Sequence, residues 1–200
     1  MFWDNVSDVY GVFEDVYNGE VNKKVSMNVA SYLDENDTVL ELACGTGLIT
    51  RCAAPACKKL VATDLSVGML KKTEDNCFGM RNVIFRKADI MNINCSDERF
   101  DKVIAGNVIH LLDDPDGAVA EMNRVCKKGS LIIIPTYINK DEQGKQNLFT
   151  QVVDKAGAGF KRQFTLDSYR QYFEQLGYED VEINYFDGRV PCAVAVLKRK

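Results

Sequence analysis

The sequence predicts an α/β fold: a mostly parallel seven-stranded sheet with helices on both faces, finished by a C-terminal antiparallel hairpin strand. Three observations predict it. Short apolar runs such as Thr38-Val39-Leu40-Glu41-Leu42 read as strands buried in a parallel sheet. These runs alternate with helix-period segments, which implies right-handed crossovers between parallel neighbours. Near the C-terminus, two further runs flank Asp187-Gly188, a pair that favours a hairpin turn.

Taken in order, Trp3, Val6, Val9/Tyr10, Phe13 and Val16/Tyr17 recur at helical spacing, and after Asn18-Gly19 so do Val21, Val25, Val29 and Tyr32/Leu33. Asp34-Glu35-Asn36-Asp37 is a polar turn into the first strand. A short helix from Leu48 to Ala54 is stopped by Pro55, and Leu60 to Thr63 is the second strand. Ser66 can cap a helix running to about Asn76. Val83 to Lys87 and Phe100 to Gly106 are the third and fourth strands. Asp114 caps the next helix, Pro115 suits its first turn, and Gly129 marks its end; Ala118, Met122 and Val125/Cys126 form its inner face. Ser130 to Pro135 is the fifth strand. Asn139 to Asn147 is a polar loop, Leu148 to Ala156 a modest helical segment, and Leu166 to Leu176 a helix capped by Thr165 and closed by Gly177. Glu179 to Phe186 and Pro191 to Lys198 form the final hairpin.

The 200 residues suffice for one substantial core, and no linker interrupts them, so a single domain is expected. It divides into an N-terminal helical lid (1–37), a binding core (38–135) and a substrate-side part with the last helices and hairpin (136–200). A net charge of -4 with short, scattered basic clusters disfavours a nucleic-acid partner. Met1-Phe2-Trp3-Asp4-Asn5 lacks the basic and apolar regions of a secretory signal, and no apolar run approaches the roughly 20 residues needed to cross a bilayer. Seven cysteines without a CxxC pair, and a single histidine, argue against a disulfide framework or a metal site. These features suggest a soluble cytoplasmic protein, a monomer or homodimer.

The chemistry concentrates in Val39-Leu40-Glu41-Leu42-Ala43-Cys44-Gly45-Thr46-Gly47 and in Asp64, which ends the second strand. Small residues after a strand let the backbone approach a ligand, and an acid at the next strand end can bind both hydroxyls of a ribose. An adenosine-containing cofactor is the first hypothesis. A nicotinamide dinucleotide would require a third glycine at Thr50, where the pattern fails. Asp64 taken alone also fits a cap for the helix at Ser66, and Asp89 alone a surface turn; at successive strand ends they support one another.

Together, Glu41-Leu42-Ala43-Cys44-Gly45-Thr46-Gly47, Asp64, Ala88-Asp89-Ile90 and Phe100-Asp101-Lys102-Val103-Ile104-Ala105-Gly106-Asn107 resemble the class I S-adenosylmethionine-dependent methyltransferases, of the small-molecule type with one Rossmann-like domain. The resemblance covers nearly the whole chain. It implies S-adenosylmethionine as methyl donor, S-adenosylhomocysteine as product, and a small-molecule methyl acceptor. It places Glu41 near the amino-acid end of the cofactor, with Ala43, Cys44, Gly45 and Gly47 along its passage. Asp64 would bind the ribose, Leu65 and Met69 would lie near adenine, Asp89 and Ile90 would meet the adenine edge, and Asn107 would face the methionine portion. Tyr10 matches a cleft position of the family, although Gly11 follows it in place of an acid. Ala43 stands where the family more often has glycine, which a tight turn accommodates if its φ is negative.

No base constellation stands out. His110, Tyr137 and Tyr10 are the candidates for a role in catalysis, His110 as a base or as a packed loop residue. Cys44 is better read as a small buried residue than as a nucleophile. Trp3, Tyr10, Tyr137, Phe149, Phe160, Phe164 and Tyr169 can form an apolar lid, with core packing the competing role for all but Tyr137. The competing functions are a non-catalytic S-adenosylmethionine-binding regulatory or scaffold protein and an NAD-dependent oxidoreductase.

Overall fold

The structure, a computed structural model, describes residues 18–139 and 161–200. The expected elements in 1–17 and 140–160, with Trp3, Tyr10, Phe149 and Phe160, lie outside the described residues. Seven strands form one sheet: β1 (Thr38–Leu42), β2 (Lys59–Asp64), β3 (Val83–Lys87), β4 (Phe100–Ala105), β5 (Cys126–Tyr137), β6 (Glu182–Phe186) and β7 (Cys192–Lys198), in the order β3-β2-β1-β4-β5-β7-β6. The first five are parallel, and β7 runs antiparallel between β5 and β6. This arrangement follows from the apolar runs: four of the five residues of β1 and six of the seven of β7 are buried, so both sheet faces must be covered.

Helix α1, described over 18–30, and α2 (Leu48–Ala53) cover one face, where Val21, Val25, Val29 and Ile49 meet Ile104, Ile133 and Val194. On the other, α4 (Pro115–Val125) and α5 (Leu166–Gln175) set Ala118, Met122, Val125, Tyr169 and Phe173 against Leu40, Val103, Ile132 and Ala195. Phe164 and Tyr169, considered for a lid, pack here instead. Their rings lie 5.0 Å apart, and the Tyr169 hydroxyl donates to the Ile134 carbonyl at 2.6 Å, so its polar end is satisfied inside the core. Helix α3 (Val67–Asn76) begins where Ser66 accepts from the Met69 N–H, and Thr165 with Ser168 closes a reciprocal box at the start of α5.

Three boundaries depart from the sequence reading. Helix α4 ends at Val125, and Cys126 turns directly into an extended conformation that begins β5. Gly129 therefore ends no helix. It adopts φ 74° within β5, where the partners of Phe100 and Lys102 on β4 jump from Cys126 to Leu131, an irregularity that a left-handed residue absorbs. Pro55 sits within a single turn of 3-10 helix, Ala54–Ala56, which prolongs α2. The last hairpin has a longer loop, 187–191, because Asn18 of α1 clamps Val190 through both its N–H and its carbonyl. No helix among the described residues is long and apolar enough to cross a membrane.

Beside the sheet, the loop after β3 is held by one side chain of α4. Arg124 donates to the Ile93 and Cys95 carbonyls at 2.7 and 2.8 Å and to Asp97 and Glu121 at 2.8 Å, while Glu121 accepts from the Ile93 N–H. Removing the guanidinium strands two backbone carbonyls, so Arg124→Ala should lower stability by about 2 kcal/mol in urea unfolding. Arg124→Lys should recover less than half of this, since one ammonium cannot span the fork; wild-type stability in either variant would contradict the assignment.

Candidate active site

The parallel register brings the carboxyl ends of four strands to one level: Leu42 pairs with Thr63 and Ala105, and Asp64 with Lys87. The chain leaving each strand therefore opens onto a common cleft, where open α/β sheets bind ligands. A cavity of about 490 Å³ lies there. It is lined by Glu41, Ala43, Cys44 and Gly45 from β1 and its loop, and by Asp64, Leu65 and Met69 after β2. Asp89 and Ile90 line it after β3, Asn107 and His110 after β4, and Tyr137 at the end of β5. Of the described residues that the sequence assigns to the cofactor, Gly47 alone is not on its wall. It caps α2 with φ 86°, and a side chain there would press to 3.0 Å against Thr73.

The β1 loop alternates in hand. Ala43, Gly45 and Gly47 have φ of 54°, 56° and 86°, so the negative angle expected for Ala43 is not adopted. The neighbours over-determine it: the Cys44 N–H is held by the Thr63 carbonyl, the Gly47 N–H by the Cys44 carbonyl, and the Gly45 N–H by Asp64, each at 2.9 Å. From α3, the Thr73 hydroxyl donates to the Gly45 carbonyl at 2.6 Å and Asn76 to that of Thr46 at 2.8 Å. Cys44 is buried with its thiol pushed well up by burial, then by Glu41, so it is no thiolate nucleophile. A left-handed alanine costs about 1–2 kcal/mol, partly offset by its smaller unfolded-state entropy. Ala43→Gly should therefore raise the unfolding midpoint, by about 0.5–1 kcal/mol, and Ala43→Val should lower it; a destabilised glycine variant would contradict the strain.

Glu41 and Thr50 form a pair that sequence reading missed. Thr50, the position that spoils the dinucleotide pattern, is fully buried on α2 and donates its hydroxyl to the Glu41 carboxyl at 2.7 Å. Glu41 is 1% exposed, and no Lys, Arg or His among the described residues pairs with it. Burial pushes its carboxyl up to about 8, against the Thr50 hydrogen bond, with Asp64 adding to the rise. In the ligand-free protein the unfolded chain ionises near pH 4.5 while the folded one keeps its proton, so this group costs stability progressively as pH rises toward about 8. Glu41→Gln cannot ionise. Its urea midpoint should gain on wild type steadily between about pH 5 and 8, whereas parallel stability curves would contradict the raised carboxyl.

Both oxygens of Asp64 are engaged, Oδ2 by the Gly45 N–H at 2.9 Å and Oδ1 by the Ser66 N–H at 2.8 Å. The capping and ligand readings are compatible, because a carboxylate offers about four lone-pair sites in all. Met69 is buried, while Leu65 is 41% exposed. Exposed Asp89 turns its loop by accepting from the Met91 N–H at 2.9 Å. Asn107 has φ 51° and donates its backbone N–H to Pro135; its side-chain oxygen is buried without a hydrogen-bond partner among the described residues.

His110, considered as a base or as a packed loop residue, is 3% exposed. Its Nδ1 lies 2.9 Å from the Thr136 hydroxyl and its ring 5.6 Å from that of Tyr137, and burial lowers its pKa to about 3. The imidazole is therefore neutral and a poor proton acceptor. Tyr137 is 7% exposed and faces the same cavity. Val108, Leu111 and Leu112 add an apolar wall that the sequence reading did not assign. Their signal was position alone, in the segment leaving a central strand. Among the described residues no group of His, Cys, Asp and Glu could hold a metal ion.

Residues 40–134 match the model of a family described as "Methyltransferase domain". A demethylmenaquinone methyltransferase of Staphylococcus carnosus is 24% identical over 226 aligned positions, covering 99% of this chain and 92% of its own length. A phosphatidylethanolamine N-methyltransferase of Cereibacter sphaeroides is 29% identical over 131 positions, 62% of this chain and 63% of that protein. In fold, the chain is similar to a crystal structure from Thermotoga maritima described as a SAM-dependent methyltransferase, possible histamine N-methyltransferase. The TM-score is 0.75 at 18% identity, covering 100% of this chain and 99% of that one.

Proposed function

We propose that the chain is a class I S-adenosylmethionine-dependent methyltransferase that binds S-adenosylmethionine in the cavity above β1–β4 and methylates a small, neutral organic acceptor. One observation carries this reading: Glu41, Gly45, Asp64, Asp89 and Asn107, from four successive strand ends, open onto the same cavity. The cavity also fits the cofactor locally. A Cβ at Gly45 would meet nothing within 4 Å, leaving room for a ligand against the backbone, and the buried Asn107 oxygen awaits a donor.

In this reading Asp64 accepts from the ribose hydroxyls through the lone pairs left by Gly45 and Ser66. Asp89 accepts from the adenine amine, with Leu65, Met69 and Ile90 against the ring. Glu41 and Asn107 serve the amino-acid portion. When bound, the cofactor supplies a methyl group on a cationic sulfur, which departs as a neutral thioether. Val108, Leu111, Leu112 and Tyr137 exclude water and hold the acceptor's nucleophilic atom in line, an arrangement whose effective molarity reaches about 10⁵ M or more. Neutral His110 supplies a hydrogen bond or packing in place of a charge. No Lys or Arg among the described residues lines the cavity, which favours a neutral acceptor over an anionic one. The full-length similarity to a demethylmenaquinone methyltransferase supports an aromatic hydroxyl compound.

S-adenosylhomocysteine should raise the melting temperature and NAD should not, since a ligand bound only by the folded state stabilises it. Asp64→Asn should weaken S-adenosylhomocysteine binding by roughly 10- to 100-fold with the fold retained, the loss expected for charged hydrogen bonds. Unchanged affinity would remove Asp64 from the ribose site. Formation of S-adenosylhomocysteine across quinols, phenols, thiols and amines then identifies the acceptor; turnover confined to amines would contradict the aromatic hydroxyl reading.

A further inference from the structure

Glu41 is set apart from the other acids of the cavity. Asp64 and Asp89 hold backbone N–H groups at the cleft edge, whereas Glu41 is 1% exposed, accepts from the hydroxyl and backbone N–H of Thr50, and pairs with no Lys, Arg or His among the described residues. A carboxylate in that position is an uncompensated buried charge, which low-dielectric surroundings strongly disfavour. The groups around it do not relieve this. Asp64 approaches from β2, Cys44 from the loop, Cys77 from the end of α3 and Cys57 from the turn before β2, and all of them disfavour added negative charge. From β4, the paired residue is Ile104. From α2, Thr50 supplies a hydroxyl, while Arg51 is exposed and acts on Cys77.

We propose that Glu41 keeps its proton in the ligand-free protein and releases it to solvent when the ammonium group of the cofactor enters, so that cofactor capture is a proton-for-cation exchange. This rests on the reading of the cavity as an S-adenosylmethionine site. The carboxyl O–H bond breaks, the proton passes to buffer, and the pair left on oxygen meets the incoming positive charge; nothing is oxidised or reduced. The buried region thus exchanges one positive charge for another and never holds an unpaired ion. The exchange also makes capture pH-dependent, because the proton competes with the ligand.

Calorimetric titration of the wild-type protein with S-adenosylhomocysteine at pH 7, in phosphate and in Tris, reads the proton directly from the difference in heats. With the free carboxyl at about 8, roughly 0.9 proton should be released per ligand bound, and affinity should rise roughly tenfold from pH 6 to 7. 5′-Methylthioadenosine, which lacks the ammonium, should release less than about 0.1, as should Glu41→Gln with S-adenosylhomocysteine. Saturable binding with heats that do not depend on buffer would overturn the exchange while leaving the site intact. Equal release by 5′-methylthioadenosine would also overturn it. Absence of saturable binding by either ligand would overturn the reading of the cavity itself.

Discussion

The Asp64 carboxylate ties the two halves of the cleft together. The Gly45 N–H reaches across the parallel pair β1 and β2 to the Asp64 carboxylate at 2.9 Å, while the other oxygen of Asp64 holds the first turn toward α3. A strand end, a glycine loop and a helix start are thereby fixed by a single side chain. The sheet register makes this possible, because it brings Leu42 level with Thr63 and leaves Asp64 beside the departing loop. The alternating hand of Ala43, Gly45 and Gly47 follows from the same tie: the chain must double back to present Gly45 to Asp64 and then feed α2. Ala43 bears the conformational cost of this geometry, and the three carbonyl and carboxylate anchors around it explain why a non-glycine residue stays there.

The cleft is electrostatically one-sided. Glu41, Asp64, Asp89, Asp113 and Asp114 line it, and no basic side chain of the described residues does. Yet these acids are not equivalent. Asp89 and Asp114 are spent on turns and caps at the surface, Asp113 pairs with Lys161, and Asp64 is shared between backbone and cleft. Glu41 alone is buried, held by the hydroxyl and backbone N–H of Thr50. The segment after β4 adds an apolar wall, and the neutral imidazole of His110 lines the same cavity. Acids and an apolar wall in one cleft suit methyl transfer from a sulfonium, which needs a cation held and water excluded.

Much of this was legible in the sequence because the deciding signals were local. Ser66, Asp114 and Thr165 announced their helices by capping chemistry, and all three accept the N–H groups that this predicts. The strand ends were readable because each apolar run stops at the residue that turns into the cleft. What stayed hidden depends on partners distant in the chain. The left-handed Ala43 is imposed by Thr63 and Asp64, the displaced Gly129 by pairing with Arg199 on the far side of β5, and the loop after β6 by Asn18. Burial of His110 likewise comes from Thr136 and Tyr137, which the structure places at the end of β5, beyond the strand read from the sequence. Thr50 was read only against a glycine pattern, which it rightly fails; what stayed hidden is that its hydroxyl stabilises the buried Glu41.

A crystal structure of the protein with S-adenosylhomocysteine tests the account most directly. The ribose hydroxyls should lie at about 2.7 Å from Asp64, with that side chain still holding Gly45, and the ligand's ammonium should lie nearest Glu41 and Asn107. A ligand whose ribose sits away from Asp64, or whose adenine occupies the wall of Val108, Leu111 and Leu112, would contradict it.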